Sequence, residues 1–190
     1  MDTFKMSDFG AHTDNSKINT SNIQKAIDTC NKNGGGSVIC DNGSIKTGTL
    51  IIKSNVELCI EAGSKIIGSE NLEDYKDLVA PGFKPGEGIE KSKNALILAS
   101  FAENISITGK GEINGSGLSF YDHKTADANG KFAKPETQRP RIIMFYRCKN
   151  ILIEDVSFVD SACWTIWLMQ CENVCIHRIK ISGDKKMRNI

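Results

Sequence analysis

The sequence predicts an all-β fold, a parallel β-helix (solenoid) whose short strands stack into successive coils. Residues 148–153 read Cys-Lys-Asn-Ile-Leu-Ile, and 23 positions later residues 171–176 read Cys-Glu-Asn-Val-Cys-Ile. Asn104 lies 46 positions before Asn150, which is two periods, and Asn55 lies a further 49 back. Because one coil cannot bury its apolar side alone, such a repeat indicates coils stacked on near-copies of themselves. At least four coils are expected to share an Asn-initiated strand.

Two further observations support a solenoid. Strand-like segments bounded by turns occur at residues 37–40, 48–52, 56–60 and 64–68. No helical pattern separates these segments, which excludes a βαβ sheet, and the fixed register favours a solenoid over a sandwich.

The one long helical pattern lies near the N-terminus, at residues 20–30. Its apolar residues share one helical face, at Ile23, Ala26, Ile27 and Cys30. Ser21 and Gln24 fit a capping box, and the glycines at 34–36 fit a helix end. Because the end of a β-helix exposes strand edges and apolar core, we expect this helix to cap it.

Two stretches interrupt the strand pattern, at residues 69–93 and 122–140, and are predicted to be loops inserted between coils. Long loops on a rigid scaffold often carry binding residues. The chain is thus predicted to be a single β-helix domain. Its cap is expected at about residues 1–36 and its coils at about 37–190, and the β-helix is expected to be incomplete at its C-terminal end.

Composition narrows the possible partners. The 190 residues carry 24 basic and 23 acidic side chains, interspersed, for a net charge of +1. That balance predicts no nucleic-acid or membrane-surface partner. No apolar run is long enough to span a membrane, and the first ten residues lack the apolar core of a signal peptide. The chain as written is expected to be cytoplasmic, or secreted or periplasmic if a signal was removed.

The seven cysteines are expected to be thiols, since they form no CxxC pair and no zinc-like spacing. Cys148 and Cys171 occupy equivalent positions of successive coils, so we expect them to stack as small apolar residues. A disulfide and a metal site are the less favoured alternatives. No metal ion or cofactor is implied elsewhere.

Strand alternation at residues 163–169 predicts which side chains face the core. Trp164, Ile166 and Leu168 are expected inside, and Thr165 and Trp167 outside. An exposed indole on a flat sheet suits stacking on a sugar ring. The alternative is that the 122–140 loop covers Trp167.

Several motifs resemble the N-terminal coils of glycoside hydrolase family 28, the polygalacturonases and other pectin hydrolases. They run in family order, from Asp-Phe-Gly-Ala at 8–11 through the Gly-rich segment at 109–117 and Arg139-Pro140-Arg141 to Cys-Glu-Asn-Val at 171–174. The resemblance spans nearly the whole chain. It implies a right-handed parallel β-helix that acts on a galacturonan-like polysaccharide or oligosaccharide.

Catalysis in that family is inverting hydrolysis by aspartates, which requires carboxyl groups roughly 6.5–9.5 Å apart. The family signatures are Asn-x-Asp, Asp-Asp, Gly-His-Gly and Arg-Ile-Lys, each on a later coil. Asn189-Ile190 resembles the start of Asn-x-Asp, so the catalytic aspartate is expected immediately after Ile190. The chain alone is therefore expected to be inactive and to contain no catalytic residue. Asn189, Trp167 and Arg141 are the candidate substrate-binding residues.

Other polar residues form no pattern that supports catalysis. Arg178-Ile179-Lys180 matches a family motif out of order and is interpreted as a chance match, with Ile179 inside and both cations outside. His12, His123 and His177 lack metal-like or triad-like spacing. Asp155 and Asp160 are interpreted as structural or solvated carboxylates.

Two alternative functions stay open at this point. One is a non-catalytic carbohydrate-binding or structural β-helix module, and the other is a polysaccharide lyase. The predicted insertions suggest that the parent enzyme attacks chain ends, because they can wall off a groove into a pocket. An open β-helix end also predicts self-association of the chain in isolation.

Overall fold

The computed structural model describes residues 2–85, 91–133 and 138–187. Within these ranges the chain forms one α-helix, three parallel sheets and one antiparallel hairpin. Sheet 1 contains β1 (Asp2–Lys5), β3 (Gly36–Cys40), β6 (Val56–Ile60), β9 (Glu103–Thr108), β14 (Lys149–Glu154) and β17 (Glu172–His177). Sheet 2 contains β2 (Asp14–Ile18), β4 (Ser44–Thr47), β7 (Lys65–Gly68), β10 (Glu112–Asn114), β15 (Ser157–Val159) and β18 (Lys180–Ser182). Sheet 3 contains β5 (Leu50–Ile51), β8 (Ala95–Ser100), β13 (Arg141–Tyr146) and β16 (Ile166–Met169).

Successive coils visit sheet 1, sheet 2 and sheet 3 in turn, and the strands within each sheet are parallel. This is the right-handed parallel β-helix that the sequence predicts. The 23-residue repeat corresponds to one coil, since Lys149 is paired with Glu172 and Ser157 with Lys180. Inward-facing aliphatic side chains of all three sheets form one continuous core.

An asparagine ladder marks the entry of four coils into sheet 1. Asn55, Asn104, Asn150 and Asn173 all have φ between 55° and 63°. The amides of the last three each donate to the side-chain oxygen of the preceding Asn, at 2.9, 2.8 and 3.0 Å. Asn tolerates left-handed backbone better than most residues, and its amide can both donate and accept. The predicted Asn-initiated strands are confirmed, and the shared residue is explained by this ladder.

The helix α1 (Thr20–Lys32) caps the first coils. Its predicted apolar face is fully buried, at Ile23, Ala26, Ile27 and Cys30. The helix ends where the glycines begin, and the Gly35 amide donates to the Cys30 carbonyl oxygen at 2.9 Å.

The predicted capping box is wrong. The N-cap residue is Asn19, whose side chain makes no capping bond and instead binds the His12 backbone. The Gln24 amide bonds both the N–H and the C=O of Ile51, at 2.8 and 3.0 Å. Gln24 thus provides hydrogen-bond partners for backbone groups at the edge of β5, which would otherwise be unpaired.

Cys148 and Cys171 stack in adjacent coils, as predicted. Cys148 is fully buried, and Cys171 is half-buried against the same core. The interaction between the two thiol side chains lowers the pKa of Cys171 and raises the pKa of Cys148. Each Sγ also donates to a backbone carbonyl oxygen at 3.5 Å, Cys148 to Tyr146 and Cys171 to Met169. All seven cysteines lie within the described ranges and are free thiols.

Both insertions leave the coil between sheet 2 and sheet 3. The first follows β7 and contains a 3-10 turn at Leu72–Asp74 and a bridge between Asp77 and Asn94. The second follows β10 and contains the hairpin of β11 (Asp122–Ala126) and β12 (Phe132–Ala133). They stand on neighbouring coils, beside the N-terminal ends of the sheet 3 strands. No helix among the described residues is long and apolar enough to cross a membrane.

The ladder predicts a specific stability effect at Asn150, which has a ladder bond on each side. Asn150→Ala removes both bonds and forces alanine into the left-handed region, so it should lower the free energy of unfolding by about 1–3 kcal/mol. Asn150→Gly keeps the backbone conformation and should lose roughly half as much. Urea unfolding measures both. Equal losses in the two variants would show that backbone conformation is not part of the effect.

Candidate functional site

The candidate site lies on the outer face of sheet 3, where the structure brings two predicted residues together. Arg141 is the first residue of β13, and Trp167 lies in β16, the next strand of the sheet. Ile166 and Leu168 of the same strand pack against the core, so alternation turns Trp167 outward as predicted. Asn189, the third candidate, and Ile190 lie outside the described residues.

The Arg141 guanidinium lies against both tryptophans of this strand region. Its central carbon is 4.0 Å from the ring centre of Trp167 and 5.6 Å from that of Trp164. The two rings meet edge to face, with centres 6.4 Å apart. Arg141 is only 1% exposed, and its Nη1 donates to the Ser92 carbonyl oxygen. Stacked aromatic rings around a buried cation form a rigid platform on this face.

The inward orientation predicted for Trp164 is wrong. The strand begins at Ile166, so alternation does not extend back to Trp164, which is half-buried beside Arg141. Thr165 is buried instead of outward-facing, and its hydroxyl accepts a hydrogen bond from Ser161 at 2.8 Å. The bend before the strand therefore places both indoles on the same side.

The first insertion covers part of sheet 3's outer face. A second apolar cluster forms there from Leu78, Ala80 and Phe83 of the insertion and from the outward-facing side chains of the sheet, including Leu98, Met144 and Tyr146. Trp167 and Met169 pack against the same cluster from β16. The face is thus covered over β8 and β13.

The second insertion is tied to the turn that precedes Trp164. Arg139, which is buried, donates from Nη1 to the Tyr121 hydroxyl at 2.5 Å and to the Ala162 carbonyl oxygen at 2.7 Å. The guanidinium also lies 5.0 Å from the Tyr121 ring centre. This anchors the base of the β11–β12 hairpin next to the candidate site.

The remaining polar candidates are accounted for by local contacts. Arg178 donates to Asp155 at 2.6 Å and also to Glu154, while Ile179 packs against the core. The predicted outward orientation of Arg178 is confirmed, and Asp155 forms an ion pair with Arg178. Within the described ranges, no group of three or more His, Cys, Asp or Glu side chains could hold a metal ion.

A second group of polar and aromatic residues was not predicted, at the C-terminal ends of the sheet 3 strands. Tyr146 ends β13, and the next residue, Arg147, aligns by register with Phe101 and Gln170 in neighbouring coils. No local motif marks these residues. The sequence feature that could have revealed them is the 23-residue spacing of Arg147 and Gln170, since each comes immediately before a cysteine of the repeat.

Comparisons with known proteins agree with the motifs. The family description Glycosyl hydrolases family 28 matches residues 83–190. An exo-poly-alpha-D-galacturonosidase of Dickeya chrysanthemi is 36% identical over 115 residues, which are 57% of this chain and 19% of that protein. An endo-polygalacturonase of Pectobacterium carotovorum subsp. carotovorum is 28% identical over 149 residues, 75% of this chain and 37% of that protein.

The fold is likewise shared with a solved relative. An exopolygalacturonase from Thermotoga maritima superposes with a TM-score of 0.79 at 29% identity, covering 96% of this chain and 47% of that one. The chain thus spans about a fifth to two fifths of the two curated relatives named above.

The buried stack predicts that Arg141 cannot be replaced by another cation. Arg141→Lys keeps the charge but loses the planar contact with two indoles, so it should lower the free energy of unfolding by about 1–3 kcal/mol. Arg178→Lys is the matched control, since its ion pairs are exposed and should contribute less than about 1 kcal/mol. Chemical unfolding followed by tryptophan fluorescence measures both. Equal effects would contradict a structural role for the stack.

Proposed function

Because the chain belongs to glycosyl hydrolases family 28, we propose that it forms part of a glycosidase that hydrolyses O-glycosyl bonds of pectin-type polysaccharide. The substrate is a galacturonan-like polymer or oligomer. The observation that carries this proposal is the Arg141–Trp167 platform on the outer face of sheet 3, in a chain similar to proteins named polygalacturonases. The reaction class is inverting hydrolysis by an aspartate acid and base.

In this proposal the present chain supplies scaffold and binding surface, and the proton-transferring aspartates lie after Ile190. Trp167 contacts the sugar, Arg141 binds it indirectly by supporting the Trp167 ring, and Asn189 belongs to the Asn-x-Asp segment. The 190-residue chain should therefore bind substrate without cleaving it. Release of reducing sugar from polygalacturonate by the chain alone would contradict this assignment.

We further propose that the enzyme attacks chain ends. A polymer lying across the strands of sheet 3 would meet the first insertion, whose Leu78, Ala80 and Phe83 pack over β8 and β13. Such a wall admits the end of a polymer and obstructs its passage through the site. The relatives include both exo-acting and endo-acting enzymes by name, so the wall rather than the family supports exo action.

The mode of attack is tested on a protein that carries this chain together with the aspartate-bearing coils. On polygalacturonate it should release short products while viscosity falls slowly. Replacing residues 78–83 with a Gly-Ser segment of equal length should open the face and shift cleavage to internal bonds. Rapid loss of viscosity with the wild-type protein would overturn exo action. Unsaturated products would favour a lyase, and binding without cleavage would favour a non-catalytic module.

We also propose that the isolated chain self-associates through its last described coil. The apolar side chains of Val174, Ile176 and Ile181 are 41%, 39% and 45% exposed there. Light scattering after gel filtration should show species larger than a monomer. Ile176→Lys should reduce association, because a charge on an open strand disfavours edge pairing. A wild-type monomer would contradict the proposal.

A further inference from the structure

The corner between sheet 3 and sheet 1 carries three large side chains in register. Phe101, Arg147 and Gln170 follow β8, β13 and β16, and their φ angles are 53°, 52° and 53°. Large side chains are uncommon in left-handed backbone, and here the stacked coils hold them in it. The three side chains therefore project from one rigid edge, opposite the edge from which the insertions leave.

Arg147 is exposed and held in place by neutral groups. Its Nε donates to Gln170 Oε1 at 2.7 Å, and its guanidinium carbon lies 5.3 Å from the Tyr146 ring centre. Among the ion pairs of the described residues, none involves Arg147. Its positive charge is thus oriented and, as far as residues 2–85, 91–133 and 138–187 show, not neutralised by an acidic side chain.

Tyr146 contributes a second donor at the same place. The side chain is only 3% exposed, and its hydroxyl has no hydrogen-bond partner within the described residues. Phe83 and Phe101 hold the ring edge-on, with centres at 5.5 and 5.7 Å. An unpaired buried hydroxyl costs about 1–3 kcal/mol, so a ligand oxygen that accepts a hydrogen bond from Tyr146 would offset that cost.

Both donors face a small space beside Gly82. A Cβ atom built on Gly82 would lie 3.3 Å from the Tyr146 hydroxyl and 3.8 Å from Arg147 Nη1. Gly82 also has φ +77°, where a side chain is strained. The missing side chain leaves room at the point on which a phenol and a guanidinium converge.

We propose that Tyr146, Arg147 and Gly82 form a carboxylate-binding subsite for a uronate residue of the polymer. Guanidinium and hydroxyl donors match the two oxygens of a carboxylate, and Phe101, 47% exposed, offers an apolar face to the sugar ring. Arg141 and Tyr146 are the first and last residues of β13 and lie about 17 Å apart along the strand. This subsite therefore lies at the opposite end of the strand from the Arg141 platform. The assignment of the sugar rests on the proposed function.

The test is binding of trigalacturonate and of its methyl ester to the 190-residue chain, measured by calorimetry. The wild-type chain should prefer the acid. Arg147→Gln should weaken binding of the acid by about tenfold or more and leave the ester unchanged. Gln170→Ala, which frees the guanidinium without removing its charge, should give a smaller loss. Lys110→Gln, which removes an exposed charge between β9 and β10, is the matched control and should have no effect.

Tyr146→Phe separates a binding role from a structural one. It should weaken acid binding while the free energy of unfolding stays equal or rises, because an unpaired buried hydroxyl is removed. Gly82→Ala should weaken binding by filling the space. Loss of stability in Tyr146→Phe without loss of binding would overturn its role.

The outcomes distinguish this inference from the proposed function. If wild-type chain binds trigalacturonate and Arg147→Gln binds it equally, the subsite is wrong while the proposed function stands. If Arg147→Gln weakens binding but the protein with its aspartate-bearing coils cleaves no pectic polymer, the subsite stands and the proposed function fails. Equal binding of acid and ester, or no binding of either, would overturn the subsite.

Discussion

Each coil of this β-helix must turn its corners at equivalent residues, because a slip of one position would turn every inward side chain outward. The asparagine ladder holds that register at the entry to sheet 1. Asn55, Asn104, Asn150 and Asn173 each fix a left-handed turn and bond to the neighbouring coil. The pairing of all three sheets follows from where these turns occur.

The same constraint positions the candidate binding surface. Arg147 lies three residues before Asn150, and Gln170 lies three residues before Asn173, so the ladder fixes the rim of sheet 3 as well. Between them the stacked thiols of Cys148 and Cys171 fill the interior. At this corner the cysteine side chains therefore pack inside the β-helix, and the large side chains of Arg147 and Gln170 form a fixed row outside it. A binding group on such a corner is oriented before ligand arrives.

The sequence predicted what depends on periodicity and missed what depends on contacts between distant segments. The strand at residues 56–60 and the apolar face of α1 were predicted because strands and helices impose their own periods. The capping box failed because Gln24 instead bonds β5, 27 residues away. Trp164 was misplaced because alternation holds only within the strand. Tyr146 and Arg147 were missed, since their relation to Gly82 exists only in the folded chain.

The two insertions show how residues can be added to a coil without disturbing the solenoid. Both leave from the same corner, where extra residues enter between sheet 2 and sheet 3 and the strands on either side keep their register. Longer loops cost little additional closure entropy, so the coil tolerates them. The first insertion then buries apolar residues on the outer face of sheet 3, and Gly82 within it meets the opposite rim. If both proposals hold, this one loop would limit access to chain ends and also complete the donor pair on the far side, so the two properties would be coupled.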